Sequence, residues 1–338
     1  MDILSEEKIE QLFNVLNKSS EILSKSFDQS YLDSLTQTLE NINSNSVDEK
    51  GLSEPDKNKL AKLYQRVVPE SLESEDIRKS IQMAILKAIK ADNIQANYQI
   101  TPDTIAFVLR YLISGIKRGS KKISLIDPAM GTGNLLASIY NQLNSSLNVK
   151  PSMTGIENDD AMSELAAASF ELERIVVDLL HEDAVSDVVA PNNVDIAVSD
   201  LPVGYYPIDD NVKNFETRSL SGHSYVHHVL IEYAMNHVVD GGFGMFLVPS
   251  QLFQTSEAKS FLKWIQDKVY LQGMLNLPLE LFLNKSAQKS ILILQKHGGN
   301  AHQANKVMIG EFPSFKDEAG FRKFLTEIDD WEINDLLK

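Results

Sequence analysis

Four carboxylates close four short apolar runs, the position from which a sheet presents side chains to a ligand. Asp127 ends KKISLID (121–127), Glu157 ends SMTGIE (152–157), Asp183 ends VVDLLHED (176–183) and Asp200 ends VDIAVSD (194–200). The last is followed by an unusual turn, SDLPVGYYP (199–207), which sets a hydrogen-bond acceptor, a rigid proline and two tyrosines in close succession. That turn taken alone fits several readings, among them a surface turn whose tyrosines pack on the domain. Each acid taken singly also fits a plainer role, as a cap or dipole partner for the helix after it, Glu157 before NDDAMSEL above all. Three acids at successive strand ends share the carboxyl edge of one sheet, and ligands bind at that edge.

The glycine turn after Asp127, IDPAMGTGNLL (126–136), narrows the ligand. Glycines between a strand and a helix let the backbone approach a bound molecule at the helix N-terminus. Gly131 and Gly133 match two positions of a dinucleotide fingerprint, but Leu136 takes the third. No phosphate-binding lysine follows, because Asn134 comes next. Asp127 would repel a pyrophosphate and attract an ammonium group. S-adenosylmethionine carries one, with a sulfonium beside it. Glu157 is then placed to accept both ribose hydroxyls, and Asp183 to accept from the adenine amine.

The elements that hold these residues follow from hydrophobic period. Residues 1–95 contain no strand pattern; apolar residues recur at helical spacing, and NINSNSVDEKGLSEPDKN (41–58) reads as a loop before helices at about 58–67 and 75–91. Thr101-Pro102-Asp103 reads as an N-cap, a first-turn proline and a dipole-matched acid opening a helix to about Lys117. From there strands and helices alternate, with further strands at 242–249, 270–277 and 290–296. Seven strands in that rhythm predict a mostly parallel sheet covered on both faces, in an α/β domain spanning 96–338 behind a helical domain spanning 1–95.

In this order, NYQITPDTI, IDPAMGTGNLL, TGIEND, LLHEDA and SDLPVGYYP resemble the class I S-adenosylmethionine-dependent methyltransferases. The resemblance is closer to the amino-methylating DNA adenine methyltransferases, including the modification subunits of type I restriction systems, which also begin with a helical domain. It covers about residues 97–297 and implies a Rossmann-like fold with S-adenosyl-L-methionine as cofactor. It places Thr101 and Pro102 near the methionine end. Asp127, Gly131 and Gly133 would wrap the cofactor with Ala129, Asn134 and Leu135 alongside. Glu157 with Asn158 would take the ribose, and Asp183 with Ala184 the adenine. The family's catalytic loop is Asp, Asn or Ser, then two prolines and an aromatic residue. Its first side chain and a loop carbonyl accept from the target amine, while the ring stacks on a base swung out of the helix. Asp200, Leu201 and Pro202 occupy that loop here. Leu201 replaces the first proline and Val203 stands at the aromatic position, so Tyr205 is the expected ring and Tyr206 the alternative.

Composition excludes other chemistries. The 338 residues contain no cysteine, which removes disulfides, thiolate-bound zinc and the thiolate mechanism of cytosine ring methylation. His223, His227 and His228 have no carboxylate at the spacing of a zinc motif, so no metal is expected. Asn276-Leu277-Pro278 reads as a turn that, in the resembling family, lies near the substrate cleft. The acidic amphipathic start and the lack of any apolar run of ~18 residues lead us to expect a cytoplasmic protein without a membrane partner. The expected activity is methylation of adenine N6 in DNA. RNA or a protein glutamine is the alternative acceptor, and a cofactor-binding interaction module the alternative of another class. A net charge of −15 disfavours general coating of nucleic acid. About forty residues follow the last expected strand, fewer than a recognition domain needs. The expected partners are therefore DNA and a specificity subunit or a second copy of the chain.

Overall fold

The structure is a computed structural model that describes residues 3–47, 50–94, 100–186, 190–255, 258–282 and 284–338. The expected domain boundary at 95/96 lies outside the described residues. Four helices come first: α1 (Ile3–Phe27), α2 (Tyr31–Ser44), α3 (Glu54–Tyr64) and α4 (Ser74–Ala91). Ser30 starts α2 by accepting from the Asp33 amide, and Ser53 starts α3 by accepting from the Asp56 amide with Pro55 in the first turn. The apolar faces of α1 and α2 meet those of α3 and α4 in a core built on Leu12, Leu16, Leu35, Leu39, Leu60 and Ile77.

The α/β part follows as α5 (Asp103–Ile116), β1 (Ser124–Asp127), α6 (Asn134–Leu147), β2 (Ser152–Glu157), α7 (Asp160–Glu173), β3 (Asp178–His181), β4 (Val194–Asp200), α8 (Val226–His237), β5 (Val238–Pro249), α9 (Ala258–Lys268), β6 (Val269–Asn276), β7 (Lys289–Lys296), β8 (Met308–Glu311) and α10 (Glu318–Trp331). The strands form one sheet in the order β3-β2-β1-β4-β5-β7-β6-β8. β7 runs antiparallel to both its neighbours and the remaining pairs are parallel. This order, parallel but for one strand, is the expected Rossmann-like α/β architecture behind a helical N-terminal region. The seven expected strands all form, and β8 adds an eighth at the edge, parallel to β6.

Apolar side chains cover both faces of the sheet. One core joins α5 and α6 to β1, β4 and β7 with Trp331 and Leu336 from the C-terminal segment; the other joins α8 and α9 to the opposite face. Helix α7 serves two cores at once. Ala166 and Phe170 pack toward the sheet, while Met162, Leu165, Ala168 and Leu172 complete the core of the helical bundle. The bundle is thus fixed to the helix that follows Glu157.

The candidate cofactor and acceptor cavity

Strand order reverses at β1, whose neighbours are β2 on one side and β4 on the other. A crevice opens beyond the carboxyl ends of the strands at such a switch point. Here it is a cavity of about 410 Å³. Of the residues expected at the cofactor, Thr101, Asp127, Ala129, Gly131, Asn134, Leu135, Glu157, Asn158, Asp183 and Ala184 line it, as do Asp200, Pro202 and Tyr205 from the expected catalytic loop. Pro102, Gly133 and Leu201 are not among its lining residues.

Asp127 is buried at the end of β1. Its Oδ1 accepts from the Ala129 amide at 3.0 Å and from Ser199 Oγ at 2.6 Å, so Oδ2 is the oxygen left for a ligand cation. Burial pushes its carboxyl up to about 7; the hydrogen bonds pull it down, and the nearby Glu157 and Asp200 raise it further. Gly131 has φ +56°, and a Cβ there would meet nothing within 4 Å, so its missing side chain leaves the cavity open. Gly133 answers a different need. It has φ +76°, and a Cβ would lie 2.4 Å from the Phe170 ring, so this glycine lets α6 approach α7.

Glu157 does not cap α7. Asp159 does, accepting from the Met162 amide at 3.0 Å. Glu157 instead accepts from the Gly131 amide at 2.8 Å through Oε2 and from the Asp159 amide at 2.9 Å through Oε1. It therefore ties the end of β2 to the glycine turn, and burial raises its carboxyl above the usual range. Asp183 accepts from the Val185 amide at 2.9 Å and from the Tyr206 hydroxyl at 2.5 Å. Burial first, and then this carboxylate, push the Tyr206 phenol up to about 12.

Asp200 has partners that the sequence reading did not include. Thr101 Oγ1 donates to its Oδ2 at 2.9 Å, and the Lys289 ammonium forms an ion pair with Oδ1. Thr101 is thus no N-cap. Helix α5 starts at Asp103 with Pro102 as its cap residue, whose carbonyl accepts from Ile105 and Ala106. The threonine hydroxyl is free for the acid because the helix begins one residue later. Leu201 is fully buried, and its amide donates to the Leu247 carbonyl at 3.2 Å, continuing the β4–β5 ladder where a proline would have no donor. Its side chain is part of the core, so only its backbone can face a ligand.

The loop then pairs with the residues before α8. Tyr206 N donates to Ser224 O and Val226 N to Gly204 O, which aligns Tyr205 with Tyr225. Tyr205, 52% exposed, stacks on the Tyr225 ring at 4.6 Å between centroids and 12° between planes. Val203 is also partly exposed on the cavity wall. Behind the loop, the buried His227 hydrogen-bonds the Pro202 carbonyl; burial lowers its ring to about 4 and that of His228 to about 3, so both are neutral near pH 7. His227 and His228 are ring partners in the aromatic packing, and no group of three metal-ligating side chains forms among the described residues. Asn276 and Leu277 lie away from the cavity: Asn276 Oδ1 accepts from Ser290 Oγ, and Leu277 is buried in the core.

Lys289, Ser199 and His227 adjoin the candidate residues, and the sequence alone did not place them there. Lys289 opens an apolar strand, where lysine ordinarily marks a solvated end. Ser199 was the most legible of them, since it adjoins Asp200 on a strand that lies beside β1.

The cavity suits S-adenosylmethionine on its own geometry. The glycine turn opens onto it, and Asp127, Glu157, Glu182, Asp183 and Asp200 line it with no lysine or arginine among the described lining residues. Such a lining attracts a cation and offers acceptors to a nucleoside. Comparison with known proteins gives the class its family. Residues 94–337 match the family model described as N-6 DNA Methylase, and residues 10–89 match the YtxK N-terminal helical domain. The chain belongs to the N-6 DNA methylase family and is an S-adenosylmethionine-dependent methyltransferase. It is 32% identical over 329 residues to the uncharacterized protein YtxK of Bacillus subtilis, covering 97% of this chain and 98% of that one. A crystal structure from Listeria monocytogenes, described as a class I S-adenosylmethionine-dependent methyltransferase, superimposes with a TM-score of 0.91 at 36% identity, covering 96% of this chain and 99% of that one. The methyltransferase subunit of a type I restriction-modification system from Streptococcus thermophilus shares the fold, with a TM-score of 0.64 at 16% identity over 94% of this chain and 74% of that one.

Proposed function

We propose that this chain methylates an exocyclic amine and that its acceptor is adenine N6 in DNA. The observation that carries the reading is the placement of Asp200 and Pro202 on the wall of the same cavity as Asp127, Glu157 and Asp183. When bound, S-adenosylmethionine supplies a methyl group made electrophilic by the sulfonium. The chain's own contribution is then positional. Asp127 Oδ2 would hold the methionine ammonium, Glu157 the ribose and Asp183 the adenine amine. Asp200, held by Thr101, would accept a hydrogen from the target amine and so keep its lone pair directed at the methyl. The Tyr205–Tyr225 stack at the cavity edge would support the flipped base. DNA as substrate rests on the family and on Asp200 with its aromatic neighbours.

A second reading draws on specific observations. Both oxygens of Asp200 are engaged, one by Thr101 and one by Lys289, and Leu201 is buried where a loop proline would stand. An acceptor already in an ion pair suits an interaction module that keeps its cofactor, or an acceptor that displaces Lys289. The experiment is incubation with isotopically labelled cofactor and, separately, unmodified DNA, RNA and a protein extract, followed by digestion and mass spectrometry. Labelled N6-methyladenine from DNA is expected, and Asp200→Ala should lower its formation ~100-fold or more while leaving cofactor affinity nearly unchanged. Label only in RNA or glutamine would transfer the reading to those acceptors. No label in any of them would favour the interaction module.

A further inference from the structure

Arg78, on α4 of the helical bundle, is 1% exposed, and arginine is rarely buried so completely unless it is paired. Its Nε and Nη2 donate to Glu75 Oε2 and Oε1 at 2.8 and 2.7 Å. Its Nη1 donates to Asp103 Oδ1 at 3.0 Å and to Asn134 Oδ1 at 2.9 Å. The bundle thereby grips the first residue of α5 and the first residue of α6, the helix that rises from the glycine turn. The series continues into the cavity. Asn134 Nδ2 donates to the Thr101 carbonyl at 3.4 Å, and the Thr101 hydroxyl donates to Asp200. Asn134, Thr101 and Asp200 all line the cavity. An apolar path runs beside the polar one, since Ile100 and Met162 line the cavity and also pack with the bundle core.

We propose that Arg78 is a positioning residue for the cofactor cavity, which makes the helical domain a working part of the methyltransferase site. The guanidinium suits this task because its flat fork serves Glu75 with two bonds and still reaches Asp103 and Asn134. A lysine keeps the charge but offers a point donor, and Asn134 then loses the contact that orients its amide toward Thr101. Glu173 is buried beside the pair, and desolvation raises its carboxyl well above the usual range, so Glu75 and Asp103 are the acids that pair with the guanidinium.

The proposal rests on the cofactor assignment and is independent of which acceptor is methylated, so its test reads binding. The cofactor product S-adenosylhomocysteine is titrated calorimetrically into the full-length wild type, Arg78→Lys, Asn134→Ala and the double variant, with thermal melts of each. Arg78→Lys should melt cooperatively yet bind on the order of 10–100-fold more weakly. The double variant should bind no more weakly than the worse single one, because both changes cut the same link. Wild-type affinity in Arg78→Lys, whatever its melting temperature, would overturn the proposal, and so would two effects that multiply. If Arg78→Lys does not fold, Glu75→Gln takes its place, since Glu75 lies outside the cavity and the change removes its charge and one of the two oxygens that accept from Arg78. Several-fold weaker binding then supports the proposal, and unchanged binding overturns it. A wild type that binds no cofactor would overturn the cofactor assignment as well, whereas a loss confined to the variants leaves that assignment standing.

Discussion

Asp127 makes the most direct prediction at the scale of a residue. Its folded carboxyl titrates at about 7 against an ordinary value of 3.8. Between those values the folded chain holds a proton that the unfolded chain has lost. The associated stability is therefore fully present below pH ~4 and declines as pH rises toward 7, then levels off. A bound ammonium favours the ionised carboxylate, so cofactor binding should release a proton below pH 7. Affinity measured by calorimetry should rise from about pH 5.5 to 7.5, and Asp127→Asn should flatten that profile. An unchanged profile in Asp127→Asn would remove this carboxylate from the cofactor's ammonium end.

At the scale of an element, the strand-like pairing of 204–206 with 224–226 turns neighbouring tyrosines to opposite sides. Tyr205 faces the Tyr225 ring, and Tyr206 reaches Asp183. The two alanine variants should therefore fail differently. Tyr205→Ala should raise the KM for the acceptor by the ~1–3 kcal/mol of a stacked base, whereas Tyr206→Ala should weaken cofactor binding by releasing Asp183. Steady-state kinetics alongside cofactor titration separates them, and matching defects would refute the division. The same strand logic applies at the end of β4. Leu201→Pro would make the loop look more like its family, yet it removes the amide bond to Leu247 and a buried side chain. It should cost on the order of 2–4 kcal/mol in denaturant unfolding with no gain in methyl transfer.

Across the whole molecule, the helical bundle and the sheet share α7. Removing residues 1–95 would bare Met162, Leu165, Ala168 and Leu172 on one face of that helix and leave Asp103 and Asn134 without Arg78. The shortened chain should elute as aggregates on size exclusion and bind no cofactor. A monodisperse fragment with wild-type cofactor affinity would show that the sheet domain builds the cavity alone.

Local pattern determined much of this protein. The four acids, the glycine turn and the seven strand positions could be read from the sequence because strand and helix periods, and the residues at strand ends, repeat over a few positions. Even the division of labour between Asp159 and Glu157 was close to legible, since two acids stood where one helix needed a cap. Tertiary structure decided the partners. Lys289 lies 89 positions from Asp200, Thr101 lies 99 positions from it, and Arg78 lies 56 positions from Asn134. No spacing rule relates residues so far apart; only the sheet order, which sets β4 and β7 on either side of β5, and the docking of α4 against α6 bring them together. The edge strand β8 belongs to the same class. MIGE carries no period of its own, and its extended form is set by the ladder that β6 offers it. The chemistry offered was written along the chain, and which groups restrain that chemistry was settled when the sheet and the bundle closed around it.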